Sequence, residues 1–236
     1  MPDLLLERMD GVALVTLNRP EKRNALSIDL RMEVAEVFGE LGGDDDVGCV
    51  VLTGAGSAFC AGMDTTQFGG DRENRERLVE SSTAAFRAVG RFPKPLIAAV
   101  NGPAVAGGFA VALMADVRVA GRSASFGFPE LPRGIPPAYA AARAALGAQL
   151  ARELCLTGRM VDAEEALRRG IVAAVHPDGE LQEKALELAS RVAAAPRFAT
   201  LETKRRILIE RERIFGALFE EEERVFMEAL LGGEQN

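Results

Sequence analysis

Two glycine-rich turns decide the fold: Gly54-Ala55-Gly56-Ser57-Ala58-Phe59-Cys60-Ala61-Gly62-Met63-Asp64 and Val100-Asn101-Gly102-Pro103-Ala104-Val105-Ala106-Gly107-Gly108, each of which follows a β-branched run. Glycine lets the backbone approach a ligand that a Cβ would block, and N–H groups freed at such turns can converge on one carbonyl oxygen. The pair therefore predicts an oxyanion hole in an enzyme that polarises an acyl group. The alternative for Gly107-Gly108 taken alone is a tight strand-to-helix packing turn.

Composition sets the class of protein. With 236 residues and 48% hydrophobic content, the chain can bury one substantial core, which predicts one large domain with a helical tail. A formal net charge of −7 argues against a nucleic-acid or anionic-membrane partner. The first apolar run, Leu4-Leu5-Leu6, is too short for a signal peptide, and no stretch is long enough for a membrane span.

The cysteines and the single histidine limit the chemistry. Cys49, Cys60 and Cys155 are odd in number and widely spaced, which predicts neither a disulfide framework nor a zinc site and favours a reducing cytoplasm. His176 excludes mechanisms that need two imidazoles. Its His-Pro-Asp-Gly setting predicts an exposed turn before a helix near Glu180.

Strands and helices alternate along the chain, which is typical of an α/β fold. Asp10-Gly11 predicts a hairpin turn, and Ser27 predicts the start of a helix that ends at Gly42-Gly43. Further strands are predicted at 49–53, 95–100, 116–120 and 171–175. Further helices are predicted at 78–89, 107–115 and 137–169, and from 180 onward. The stretch 137–169 is expected to be broken at Gly147 and at Thr157-Gly158.

Two loops are expected to shape a binding pocket. The polar stretch from Thr65 to Glu76 predicts a mobile lid, and the stretch from Arg133 to Tyr139 is expected to form another wall. The charged helix at 202–231 carries an apolar stripe, which predicts packing on the domain or on a neighbouring subunit.

Five motifs occur in order along the chain: Asn18-Arg19-Pro20-Glu21-Lys22-Arg23-Asn24-Ala25-Leu26, Phe59 to Asp64, Lys94 to Gly102, Phe126-Gly127-Phe128-Pro129-Glu130 and Leu156-Thr157-Gly158-Arg159. Together they resemble the enoyl-CoA hydratase/isomerase, or crotonase, family, and the resemblance runs from about Leu4 to Val175. It implies a crotonase (ClpP/crotonase-like) spiral of ββα units at 1–195 and a helical C-terminal region at 196–236 that mediates assembly, as a homotrimer or hexamer, or covers the active site.

The same resemblance implies catalytic roles for three residues. The N–H groups of Met63 and Gly107 would hold the thioester oxygen of an acyl-CoA, and Glu130 matches one of the family's two catalytic glutamates. The residues themselves support Gly107, because the first N–H of an apolar helix lacks an intrahelical partner and lies at the positive end of the helix dipole. A lone glutamate is usually solvated, but apolar Phe126, Phe128 and Leu131 around Glu130 would raise its pKa toward neutrality.

The chain departs from the hydratase pattern at Ala110, where the second catalytic glutamate is expected. Adding water to a double bond uses two carboxylates, whereas moving a double bond needs only one base. We therefore expect enoyl-CoA isomerisation. The alternatives are an enoyl-CoA hydratase or another crotonase-type lyase, or a non-catalytic acyl-CoA-binding subunit.

Substrate contacts are also implied by the resemblance. Backbone groups of Ala25 and Ala61 would lie along the CoA, and Lys22 or its neighbour Arg23 would approach the phosphates. Asp64 is also counted among the substrate-contacting residues, although its position looks structural. As CoA is part of the substrate, no separate cofactor or metal is expected. Tyr139, the only tyrosine, could place its hydroxyl in the pocket or serve as a core aromatic.

Two further substitutions in the motifs predict a reshaped acyl pocket. Ala106 replaces the first glycine of a frequent triplet, and the run from Ile135 to Tyr139 replaces a frequent Gly-Gly pair. A hydrolase that uses Cys60 as its nucleophile is a further hypothesis, which the shortage of histidine disfavours.

Overall fold

A computed structural model describes residues 2–231, so Met1 and the end of the C-terminal region, 232–236, lie outside the described residues. The strands are β1 Leu4–Met9, β2 Val12–Leu17, β3 Cys49–Gly54, β4 Leu96–Val100, β5 Pro103–Val105, β6 Val117–Gly121, β7 Ser125–Gly127, β8 Met160–Asp162 and β9 Ala174–His176. The helices are α1 Ile28–Gly43, α2 Arg72–Gly90, α3 Gly107–Met114, α4 Tyr139–Thr157, α5 Ala163–Arg168, α6 Leu181–Ala193 and α7 Arg197–Leu231.

Two sheets organise the chain. The larger has six strands in the order β1-β2-β3-β4-β6-β9, antiparallel at β1-β2 and parallel elsewhere. The smaller sheet has the order β5-β7-β8, with β5-β7 parallel and β7-β8 antiparallel. The predicted α/β class and the N-terminal hairpin are confirmed.

The central strands β2, β3 and β4 are buried on both faces, which explains why they are nearly continuous apolar runs. In β2, Ala13, Val15 and Leu17 face the main core, whereas Val12 and Leu14 face a second core beneath α6. Because side chains alternate along a strand, one apolar run supplies two cores.

Several predicted boundaries are wrong. The stretch 171–175 is not one strand, because β9 begins at Ala174. The stretch 137–169 contains strand β8 between α4 and α5, and β5 and β7 were not predicted at all. Each of these strands has three residues, which are too few to show the alternation of apolar and polar side chains by which a strand is recognised. The polar lid stretch is also shorter than expected, since α2 begins at Arg72.

A buried ion pair fastens α7 to the sheet. Nζ of Lys204, a residue that is 2% exposed, lies 2.6 Å from Oδ2 of Asp116, and Nη2 of Arg211 lies 3.1 Å from Oδ1 of the same carboxylate. Asp116 also accepts the N–H of Leu96 at 2.9 Å, so its carboxylate joins α7 to the start of β4. No helix among residues 2–231 combines the length and apolarity needed to cross a bilayer.

Replacing Asp116 by alanine should destabilise the fold strongly, because it leaves the buried Lys204 ammonium without its carboxylate. We expect a loss of about 3–5 kcal/mol in the free energy of unfolding, measured by urea denaturation. The control is Glu221→Ala, which breaks an exposed ion pair to Arg224 and should cost less than about 1 kcal/mol. Similar losses in the two variants would contradict the anchoring role of Asp116.

Candidate active site

The two glycine-rich turns lie against each other. The N–H of Val105 donates to the carbonyl of Cys60 at 2.9 Å. A Cβ on Gly108 would lie only 2.3 Å from that carbonyl oxygen, and a Cβ on Gly62 would lie 3.3 Å from the nitrogen of Gly107. Glycine at 62 and 108 is therefore a condition for this approach.

The backbone around Met63 turns its N–H away from its neighbouring strand. Gly62 accepts the N–H of Leu26 at 2.8 Å, and the N–H of Asp64 donates to Leu26 at 3.1 Å. Because successive peptide groups of an extended chain point to opposite sides, the N–H of Met63 points away from Leu26. Among the described residues it donates to no backbone carbonyl.

Gly107 opens α3, and its N–H likewise donates to no backbone carbonyl of the described chain. The preceding residue, Ala106, has φ 53° and ψ −124°, a conformation that favours glycine. Strained backbone of this kind costs roughly 1–3 kcal/mol and is common at functional sites. The turn therefore presents the positive end of a helix next to Met63.

One cavity of about 460 Å³ joins most of the predicted site residues. Met63, Gly107 and Glu130 all line it, together with Ala61 and Tyr139. The two loops that were expected to shape it also contribute, through Thr65, Phe68, Arg133, Ile135, Pro136 and Pro137. The structure thus brings the carboxylate of Glu130 into one cavity with two N–H groups that have no backbone partner among the described residues.

Glu130 is a buried carboxylate without a hydrogen-bond partner for one oxygen. The residue is 8% exposed, and its Oε2 has no partner among the described residues. Burial raises the pKa of Glu130 to about 7, opposed by a backbone hydrogen bond and by Arg133. Phe126 and Phe128 are fully buried as expected, whereas Leu131 is 38% exposed. A carboxyl with this pKa can exchange protons near neutral pH.

A second carboxylate enters the same cavity from α7. Glu222 lines it, and its Oε1 accepts the N–H of Ala140 at 2.7 Å, capping the start of α4. Burial raises the pKa of Glu222 to about 7, opposed by the backbone N–H groups of Ala140 and Tyr139. The sequence analysis missed this residue within a charged run, yet it follows Phe219 by three positions and so lies on the apolar face of the helix.

Three of the expected substrate contacts lie outside the lining of the cavity: Lys22, Ala25 and Asp64. The loop that carries Lys22 and Ala25 nevertheless adjoins the site, since the N–H of Ala61 donates to Arg23 at 3.0 Å. Oδ2 of Asp64 lies 3.0 Å from Nη1 of Arg19. Burial raises the pKa of Asp64, but hydrogen bonds from Thr66 and Arg19 outweigh it and leave the pKa below its ordinary value.

The geometry opposes a cysteine hydrolase. Cys60 is fully buried, and burial raises the pKa of its thiol to about 12, so it is protonated at neutral pH. His176 ends β9 in place of the expected exposed turn, and its carbonyl accepts the N–H of Arg122.

Comparison with known proteins places these features in a family. Residues 7–229 match the model of the enoyl-CoA hydratase/isomerase family. Enoyl-CoA hydratase EchA19 of Mycobacterium tuberculosis is 41% identical over 200 residues, which cover 82% of this chain and 75% of that protein.

Solved structures agree. An enoyl-CoA hydratase/isomerase from Mycobacterium paratuberculosis superposes with a TM-score of 0.91 at 26% identity, covering 98% of this chain and 95% of the other. A monofunctional enoyl-CoA isomerase from M. smegmatis superposes with a TM-score of 0.75 at 36% identity, covering 89% and 94%. The expected crotonase-type architecture with a helical C-terminal region is confirmed.

The raised pKa of Glu130 makes stability depend on pH. The folded state holds this proton up to about pH 7, whereas an unfolded glutamate releases it near 4.5, so stability falls as pH rises through that window. Glu130→Gln carries no charge to bury. Its free energy of unfolding should match that of the wild type near pH 4 and exceed it by about 1–3 kcal/mol at pH 8.

Urea denaturation at the two pH values tests this linkage. The exposed Glu220→Gln provides the control, because it changes a glutamate of α7 that is open to solvent. A difference between Glu130→Gln and the wild type that is the same at both pH values would show that Glu130 is not a buried, neutral carboxyl in the folded protein.

Proposed function

Because the chain belongs to the enoyl-CoA hydratase/isomerase family, and is thereby an enzyme of that type, we propose that it moves the double bond of an enoyl-CoA. Glu130 acts as the single base, and the N–H groups of Met63 and Gly107 form the oxyanion hole. The observation that carries this proposal is one buried, unpartnered carboxylate oxygen in the same cavity as two unpaired backbone donors.

The reaction uses one proton twice. Glu130 removes a proton from C2 of a 3-enoyl-CoA, and the electron pair shifts toward the thioester oxygen to give a dienolate. Met63 and Gly107 donate to that oxygen, where the negative charge collects. Glu130 then returns the proton to C4, which leaves a 2-enoyl-CoA. In this proposal CoA is part of the substrate and no further cofactor takes part.

Ala110 supports one-base chemistry. It lies three residues after Gly107 on α3, it is fully buried, and its methyl group cannot orient a water molecule. Hydration needs one group to take a proton from water and another to deliver a proton to carbon. On α3 the chain has no carboxylate at the place where a second one is expected.

Hydration is the second candidate, and two observations favour it. EchA19, which is 41% identical, is named a hydratase, and Glu222 supplies a second carboxylate to the same cavity from another helix. In that version, Glu222 would replace the glutamate missing at Ala110. One experiment therefore has to show both which glutamate acts as the base and whether the enzyme moves the double bond or adds water to it.

The CoA moiety is proposed to lie along the loop from Lys22 to Ala25. This loop is fixed to the cavity rim through Ala61 and through Arg19, whose Nη1 donates to the carbonyl of Ala25 at 2.6 Å. The exposed Lys22 side chain is then available to the CoA phosphates. Assembly as a homotrimer or hexamer and a cytoplasmic location also remain proposals.

Turnover of a 3-enoyl-CoA and of a 2-enoyl-CoA, with double-bond migration and water addition followed separately, tests the proposal. The wild type should migrate the double bond without adding water. Glu130→Gln should lower the migration rate by about 10²–10⁴-fold, because the base is lost while the cavity keeps its shape.

Glu222→Gln is the matched comparison, because Glu222 is a second carboxylate of the cavity whose pKa burial raises to about 7, and the substitution changes the same atoms. It should keep migration within about fivefold of the wild type, since removing a single general acid or base costs far more than this. Water addition that requires both glutamates would replace the isomerase by the two-carboxylate hydratase. Binding of acyl-CoA with neither reaction would favour a non-catalytic binding subunit.

A further inference from the structure

Arg31 of α1 is a buried cation directly behind the Met63 loop. The residue is 0% exposed. Its Nε donates to Oγ of Ser81 on α2 at 3.1 Å, and its Nη1 donates to Sδ of Met63 at 2.8 Å. Nη2 has no hydrogen-bond partner among the described residues. A thioether is a weak acceptor, so this guanidinium is poorly compensated for a group removed from water.

No carboxylate neutralises this charge by direct contact within residues 2–231. The carboxylate whose field acts on Arg31 is that of Asp64, and Asp64 already pairs with Arg19 at 3.0 Å and accepts the Thr66 hydroxyl at 2.6 Å. Burial lowers the pKa of Arg31 to about 10, opposed by Asp64, so the side chain stays charged at neutral pH. Its positive potential therefore reaches the surrounding residues.

We propose that Arg31 is a positioning residue for the acyl-CoA reaction: it holds the Met63 side chain and keeps a poorly compensated positive charge close to the oxyanion hole. This inference rests on the proposed function, because it takes the Met63 N–H as an oxyanion donor. Covalent geometry puts Nη1 at most about 8 Å from that nitrogen, and an oxygen that accepts its N–H lies about 3 Å farther at most. Over about 11 Å inside a protein, a unit charge still interacts appreciably with a developing oxyanion.

A purely structural role for Arg31 predicts a different behaviour. If its contacts served mainly to join α1 to α2, removing them would destabilise the protein. Ser81, however, keeps a hydrogen bond to the carbonyl of Leu78 at 3.2 Å without Arg31. A buried charge with unpaired donors opposes folding, and an apolar replacement of similar length removes that cost. Arg31→Met should therefore fold with equal or higher thermal stability while losing catalytic power.

The direct readout is the ionisation of a bound 3-ketoacyl-CoA, for which acetoacetyl-CoA is the probe. Its enolate absorbs in the near ultraviolet, and the pH at which the bound compound ionises reports how strongly the site stabilises negative charge at the thioester. Arg31→Met should raise that apparent pKa by about one unit, a tenfold loss in enolate stabilisation. It should lower kcat for double-bond migration about tenfold, with KM changed less than threefold.

Two further variants separate charge from packing. Arg31→Lys keeps the positive charge and should restore most of the ionisation and of kcat. Arg118→Met is the matched control: Arg118 is a half-buried arginine whose guanidinium donates to the carbonyl of Ile171 and to that of Ala115, which follows the end of α3 opposite to Gly107. This control should lower thermal stability, because it leaves those carbonyls unpaired, and should leave the ionisation of acetoacetyl-CoA unchanged.

The outcomes separate the inference from the function on which it rests. A wild-type protein that neither ionises bound acetoacetyl-CoA nor turns over enoyl-CoA would overturn the proposed function itself. A wild type that does both, with Arg31→Met behaving identically, would overturn the role of Arg31 alone. Equal losses in Arg31→Met and Arg31→Lys, accompanied by a lower melting temperature, would likewise overturn it, because they would assign Arg31 to packing.

Discussion

The contact of Gly108 with the carbonyl of Cys60 is the constraint on which the site depends. No side chain fits between them, since a Cβ on Gly108 would lie 2.3 Å from the oxygen. Gly102 is under the same restriction, because its Cβ would lie 2.2 Å from the carbonyl oxygen of Ser57. Only with glycine at both positions can the loop after β4 lie on the loop after β3 and place the start of α3 beside Met63.

From this contact the electrostatics of the site follow. Met63 and Gly107, at the N-terminus of α3, line the same cavity as Glu130, and Arg31 contacts the side chain of Met63. Burial disfavours the charged form of Glu130. In the proposed reaction, proton abstraction would move negative charge from this poorly solvated carboxylate to a thioester oxygen held by the two N–H donors, where the charge is stabilised.

The sequence was informative where a residue is demanded by backbone geometry. The two glycine-rich turns and Gly107 at a helix start could be predicted, because spacing and residue type limit what such segments can do. Glu130, by contrast, was identified through the resemblance to the enoyl-CoA hydratase/isomerase family. It was less informative about three-residue strands such as β5 and β7, which have no measurable period. The neighbours of Glu130 were predicted only in part, since burial depends on which elements cover each side chain.

Residues that act across long sequence distances could not be found from the sequence. Glu222 reaches the start of α4 from a position 82 residues later, and Arg31 reaches Met63 across 32 residues. Both lie in amphipathic helices, where charged side chains are usually solvated. The packing of α7 on α4 and of α1 on α2 is what shows that the side chains of Glu222 and Arg31 point toward the protein interior.

We propose that this cavity stabilises a thioester enolate formed by Glu130. Exchange of the C2 protons of a saturated acyl-CoA in deuterated water, followed by mass spectrometry, measures this directly, because exchange requires the base and the oxyanion hole but neither isomerisation nor hydration. We expect exchange by the wild type and its loss in Glu130→Gln. Exchange that persists in Glu130→Gln, or enoyl-CoA turnover by a wild type that exchanges no proton, would contradict this proposal.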